Sequence, residues 1–147
     1  MKLQTATRLA LYAVLDLAAE PERQMSAGEI AAKYGVSTNH LAKVLRELGR
    51  AKLVEAARGV GGGYRFAGNA KRVTLMDIVG WFEDVRAGRP DCAEDGRPGA
   101  VASALGVVLA EIEATTVATL SSITLDTMLK LMRRHAAPSA PDVRAAD

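Results

Sequence analysis

The chain has 147 residues, 49% of them hydrophobic but only 4% aromatic, and a net charge of +2. That suits one compact domain, or a small domain with an oligomerisation element, around a core of Ala, Leu and Val with few large anchors. A single cysteine excludes an intramolecular disulfide framework, and no uncharged stretch approaches the roughly 20 residues of a membrane span, so a cytoplasmic protein with no membrane partner is expected.

Residues Leu9 to Ala19 (LALYAVLDLAA) are apolar nearly all round, which predicts a helix buried on more than one side and ended by Pro21. Met1-Lys2-Leu3 leads into an apolar run interrupted by Arg8 and Asp16, so the N-terminal segment does not read as a signal peptide. A second helix is announced by Ser26-Ala27-Gly28-Glu29. Serine followed three residues later by glutamate makes a capping box, which satisfies two free backbone donors. Ile30, Ala31 and Tyr34 supply its inner face, Gly35 stops it, and Ser37 caps the next helix after a very short turn.

In that third helix Leu41, Val44, Leu45 and Leu48 fall on one apolar stripe, while Asn39, Lys43, Arg46 and Arg50 occupy another face. Two short-linked helices, the second with an inward Leu/Val stripe and a basic outer face, match a helix-turn-helix and favour DNA binding over a plain helical hairpin. Charge points the same way. From Lys33 to Arg72 nine Lys/Arg face two acids, a local balance of +7, whereas Asp91 to Asp147 holds five basic and eight acidic residues, or −3. A basic block in a balanced chain is the footprint of a polyanion, although chance clustering on a solvated surface explains the charge alone equally well.

Leu53 to Ala56 and Tyr64 to Phe66 read as two short strands joined by Arg58 to Gly63. A hairpin directly after a recognition helix is a wing. Its glycines permit positive φ and remove side chains, so backbone N–H groups can press against phosphate, and Arg58 and Arg65 add charge. A nucleotide-cradling loop is excluded: GVGGG lacks the G-K-[ST] ending of a P-loop, and a strand rather than a helix follows it.

Thr74 caps a further helix with Asp77 three residues on and Leu75, Ile78, Val79 and Phe82 as its buried stripe. Residues Arg86 to Gly99 are broken by Gly and Pro and read as a loop. A long helix from about Val101 to Leu120 carries Leu105, Val108, Ile112, Thr115 and Thr119 in steps of three and four, a seam suited to its copy in a second subunit, with packing on its own domain as the alternative. A last helix shows Leu125, Met128, Leu129 and Met132, and AAPSAPDVRAAD reads as disordered.

The segments MKLQTATRLALYAVLDLA, GVSTNHLAKVLRELGRAKLV, RGVGGGYRF, TLMDIVGWFED and ITLDTML, in this order, resemble the bacterial winged-helix regulators typified by the iron–sulfur cluster regulator and the nitric-oxide-sensing repressor. The resemblance covers about Met1 to Met132, and its wing motif is specific. It implies a homodimer on a palindromic operator of double-stranded DNA, with the long helix as dimer contact. Recognition residues then fall at Ser37, Thr38, Asn39, His40 and Lys43, with Arg46 on the same basic face, and wing contacts at Arg58, Gly61, Gly62, Gly63 and Tyr64. Leu105, Val108 and Ile112 become the dimer interface.

The family's sensing members carry three loop cysteines that hold an iron–sulfur cluster. Cys92 stands where the first would be, and the chain has no other. Such clusters are usually held by four protein ligands, so no stable cluster is expected, and cluster or metal binding through Cys92 is the minority alternative. Cys92 otherwise reads as an inert remnant or a redox-responsive thiol: Arg86, Arg89 and Arg97 favour its thiolate, while Asp91, Glu94 and Asp95 oppose it.

The expected architecture is mostly α with a small β-hairpin: a winged helix-turn-helix domain over 1–85, a sensor-type loop over 86–99, dimerisation helices over 100–134 and a disordered tail over 135–147. The expected function is transcriptional regulation, as a repressor. A winged helix used only for protein interaction is the reading from another class. Two histidines and one loop cysteine suggest no catalytic constellation, so no enzyme is expected.

Overall fold

A computed structural model describes residues 2–85 and 99–136 of the chain. The elements are α1 Thr5–Ala19, α2 Ala27–Tyr34, α3 Thr38–Arg50, β1 Val54–Ala57, β2 Gly63–Phe66, α4 Leu75–Phe82, α5 Ala100–Ser122 and α6 Leu125–Ala136. The fold is mostly helical with a two-strand antiparallel hairpin, as the sequence leads one to expect.

The central element is α1. It packs against α3, α4, α6 and β2, and its Leu9, Ala10, Ala13, Val14, Leu17 and Ala18 are buried. Small alanines let neighbouring helices approach it closely, which is how a core with few aromatics closes. The helix begins at Thr5 rather than Leu9, and the reason lies far away in sequence. Gln4 offers no side-chain cap. Instead the Gln4 N–H donates to Glu83 Oε1 at 2.7 Å, and the Thr7 hydroxyl donates to the same oxygen at 2.6 Å. A carboxylate at a helix N-terminus satisfies a free donor and opposes the positive end of the helix dipole.

The turn between α2 and α3 follows its local chemistry. Ser26 and Glu29 form the reciprocal capping box, Gly35 takes φ +63° at the end of α2, and the Ser37 hydroxyl accepts the His40 N–H at 3.1 Å. Leu41, Leu45 and Leu48 of α3 are fully buried against α1 and α2. Each such side chain contributes about 1.5–3 kcal/mol of hydrophobic stabilisation, so this stripe fixes which face of α3 turns outward.

Strand β1 pairs with β2 from Val54↔Phe66 to Ala57↔Gly63. Met25, just before α2, adds a backbone bridge to Tyr64, its N–H donating at 3.0 Å and its carbonyl accepting at 2.8 Å. The hairpin is thereby tied to the helix-turn-helix at its base.

Helix α4 opens on a capping box of Thr74 and Asp77 and buries Ile78 and Val79. Helix α5 differs from every other described helix: none of its residues is buried, and its main packing among the described elements is on α4. By length and composition alone it is apolar enough to cross a membrane, with Glu111 and Glu113 near its middle. Its far end is fixed in the core. The Leu75 N–H donates to the Ile123 carbonyl and the Leu125 N–H to the Val73 carbonyl, each at 2.9 Å, and Thr74 bridges Thr124. Helix α6 then packs back on α1, placing Leu125 and Leu129 in the same hydrophobic cluster as α1 and α3. It runs through Ala136, so His135 and Ala136, expected in the tail, are helical. Of the loop expected over 86–99, residues 86–98, Cys92 included, lie outside the described residues, as does the tail beyond Ala136.

Candidate nucleic-acid interface

With its Leu/Val stripe buried, α3 presents Thr38, Asn39, His40, Lys43, Arg46 and Arg50 to solvent. Thr38, Asn39 and His40 form the first turn. Ser37 lies just before them, with its hydroxyl oxygen engaged as the cap. Arg50 is paired with Glu47 at 2.9 Å, whereas Lys43 and Arg46 form no ion pair among the described residues. The first turns of the helix therefore combine amide, hydroxyl and imidazole groups with unpaired cations beside a helix N-terminus. Such a set can donate to phosphates and to base edges.

The wing tip is Arg58 to Gly62. Gly59 and Gly61 adopt φ +113° and +77°, values that a side chain resists. Gly63 has a different reason: a Cβ there would lie 2.6 Å from the Met25 carbonyl oxygen. The glycines thus have an internal explanation in turn geometry and close strand approach, besides any access they give to DNA. Arg65 lies directly opposite Glu55 and is paired with it, whereas Arg58 is exposed and forms no ion pair among the described residues. Tyr64 is half-buried, packed against the core as well as bridging Met25.

Val60 was not singled out from the sequence. At the tip it is fully exposed, the most exposed large hydrophobic among the described residues. A valine between two glycines at a predicted turn is the signal that could have found it.

Leu105, Val108 and Ile112 are all more than half exposed on α5, with Val101 and Val107. His40 and His135 stand on α3 and α6, and among the described residues no three of His, Cys, Asp and Glu are grouped to hold a metal ion. The donor set does not fit a cluster: one thiolate per chain falls well short of the four protein ligands such a group usually takes.

A cationic second helix in a helix-turn-helix, followed at once by a glycine-turned hairpin, defines the winged helix-turn-helix class. The chain belongs to the Rrf2 family, described as iron-dependent transcriptional regulators, whose model matches residues 3–131. It is 52% identical over 132 residues to BadM of Rhodopseudomonas palustris, assigned as an HTH-type transcriptional regulator, covering 90% of this chain and 83% of that protein. It is 41% identical over 96 residues to protein aau3 of Rhizobium meliloti, covering 65% of this chain and 62% of that one. Among solved structures, T. potens IscR superposes with a TM-score of 0.76 at 26% identity, covering 95% of this chain and 94% of that one. The B. subtilis global cysteine regulator CymR superposes with a TM-score of 0.71 at 26% identity, over 89% and 98% of the two chains. The protein is therefore a helix-turn-helix transcriptional regulator of a non-enzymatic family, and DNA binding follows from that membership. The long apolar helix α5 is part of this fold.

Proposed function

We propose that the protein is a cytoplasmic repressor that binds a palindromic operator as a homodimer. Helix α3 enters the major groove through Ser37, Thr38, Asn39, His40, Lys43 and Arg46. The wing contacts DNA through Arg58, Gly61 to Gly63 and Tyr64. The observation that carries this reading is the unpaired cationic face of α3 beside the wing cation Arg58. Lys43→Glu and Arg58→Glu should each abolish operator shifts while leaving the circular dichroism spectrum intact, and shifts unchanged in both variants would refute the interface. Deleting the gene should raise expression from the bound promoter, and a fall would make the protein an activator.

A homodimer through Leu105, Val108 and Ile112 is supported by the apolar, unburied face of α5. The regulator acts without a stable iron–sulfur cluster. Two subunits contribute only two thiolates, which leaves iron with too few soft, charged donors. The family's description as iron-dependent favours the opposite reading. Anaerobic reconstitution separates them: stoichiometric iron and sulfide with visible absorbance would establish a cluster. Cys92 then remains as a thiol that tunes operator affinity, a role that alkylation of the protein and of Cys92→Ser tests. A winged helix that only docks proteins would lack the steep loss of affinity with salt that phosphate contacts impose.

A further inference from the structure

The cations of α3 stand at the rim of a groove. It lies between Ala6 of α1, Phe82 of α4 and the His40–Glu47 stretch of α3, and has a volume of about 440 Å³. Hydrocarbon from Ala6, Val44 and the Phe82 ring lines it, while His40, Lys43 and Arg46 supply nitrogen. Among the described residues that line it, the one acid is Glu47, paired with Arg50 at 2.9 Å, so this lining presents cationic groups without a free acid to balance them.

DNA phosphates would use the cations but have no use for the hydrocarbon. The volume lies within the roughly 300–1,000 Å³ range of small-molecule sites, which are mostly apolar with a few polar groups that fix orientation. The occupant that matches both features has an apolar body and one anionic head. An amine would be repelled at the rim, and a neutral hydrocarbon would leave the cations unused.

We propose that this groove binds an amphipathic monocarboxylate, with its body against Ala6, Val44 and Phe82 and its carboxylate on Lys43 and Arg46. The bound acid occupies cations that the operator needs, so it releases DNA. This regulatory half rests on the assignment of α3 as the DNA-reading helix; the binding half does not.

Octanoate serves as the probe, with 1-octanol and octylamine as partners of matched body. Each is titrated into the full chain without DNA, followed by calorimetry and by the methyl resonances of Ala6 and Val44. Octanoate should bind once per chain and shift those methyls. Octanol should bind at least about tenfold more weakly, as expected for loss of a charge-assisted contact, and octylamine should not bind. Ala6→Leu, which fills the groove, should lose octanoate yet keep operator affinity. Phe82→Leu gives the same binding test should Ala6→Leu fail to fold.

Equal affinity for octanol would overturn the site, as would octanoate binding that survives both variants or that shifts α5 methyls alone. Binding seen only in an α5-disrupted monomer would assign the groove to a second copy and overturn it too. Operator affinity unchanged at saturating octanoate would remove the regulatory half. A chain that takes octanoate but shifts no operator DNA would keep the site while refuting the DNA-binding reading.

Discussion

Glu83 carries out at one residue what the local sequence at the start of α1 does not supply. Its carboxylate takes the Gln4 N–H and the hydroxyl of Thr7, a side chain with no exposed surface. Glu83→Ala leaves that hydroxyl without its acceptor, which should cost about 1–3 kcal/mol, read as a lower urea midpoint; Glu83→Gln, which keeps an acceptor oxygen, should cost less. The Ser26, Ser37 and Thr74 caps were legible because each partner lies three residues along. The α1 cap was not, because its partner is 79 positions distant.

A second residue makes stability depend on pH. The Tyr34 hydroxyl donates to Asp16 Oδ2 at 2.6 Å, its ring stacks on Tyr12 at 4.9 Å, and Lys33 meets Asp16 Oδ1 at 2.7 Å. Burial first, then the hydrogen bond to Asp16, raises the Tyr34 hydroxyl far above the ordinary tyrosine range. Above about pH 10 the unfolded chain releases this proton while the folded chain keeps it. Folding stability should therefore be intact below that pH and fall as pH rises beyond it. Denaturant midpoints across the alkaline range should decline less steeply in Tyr34→Phe than in the wild type. Parallel slopes would show that Tyr34 is not responsible.

Among the elements, α3 was the most legible, because a period near 3.6 residues separates its Leu/Val stripe from its cations and both sets landed where that period puts them. The hairpin was legible in outline: its first strand is displaced by one residue, and its second begins one residue earlier than expected. The glycines were only half legible: a sequence can indicate positive φ, but the near contact of Gly63 with Met25 depends on a partner outside the hairpin. Helix α5 showed its apolar character in the sequence, and the structure leaves that surface open. Val108→Glu with Ile112→Glu should convert the protein to monomers in sedimentation without loss of helix. A dimer that survives both changes would place the interface elsewhere.

At the scale of the whole molecule, the core could not be assembled from the sequence. The periodicity of α6 marks an apolar face without naming its partner, and Leu125 and Leu129 turn out to join α1 and α3 in one cluster. Ala6, Phe82 and α3 meet in one groove for the same reason: each residue's local pattern is silent about the other two. The thiol count is a property of composition, but what surrounds Cys92 lies outside the described residues.

The junction from Ile123 to Leu125, held by backbone hydrogen bonds to Val73 and Leu75, has a consequence for the DNA itself. A flexible tether there would let each wing domain swing to meet half-sites at various separations. A clamped junction makes the proposed dimer a pair of fixed calipers, so the distance between the two α3 helices is set by the protein. Half-sites must then face the same side of the duplex, about 10–10.5 base pairs apart or a multiple of that. Inserting half a helical turn or a full turn between them should in each case remove operator binding, because a fixed caliper reaches neither spacing. Equal binding to all three spacings would mean that the clamp opens.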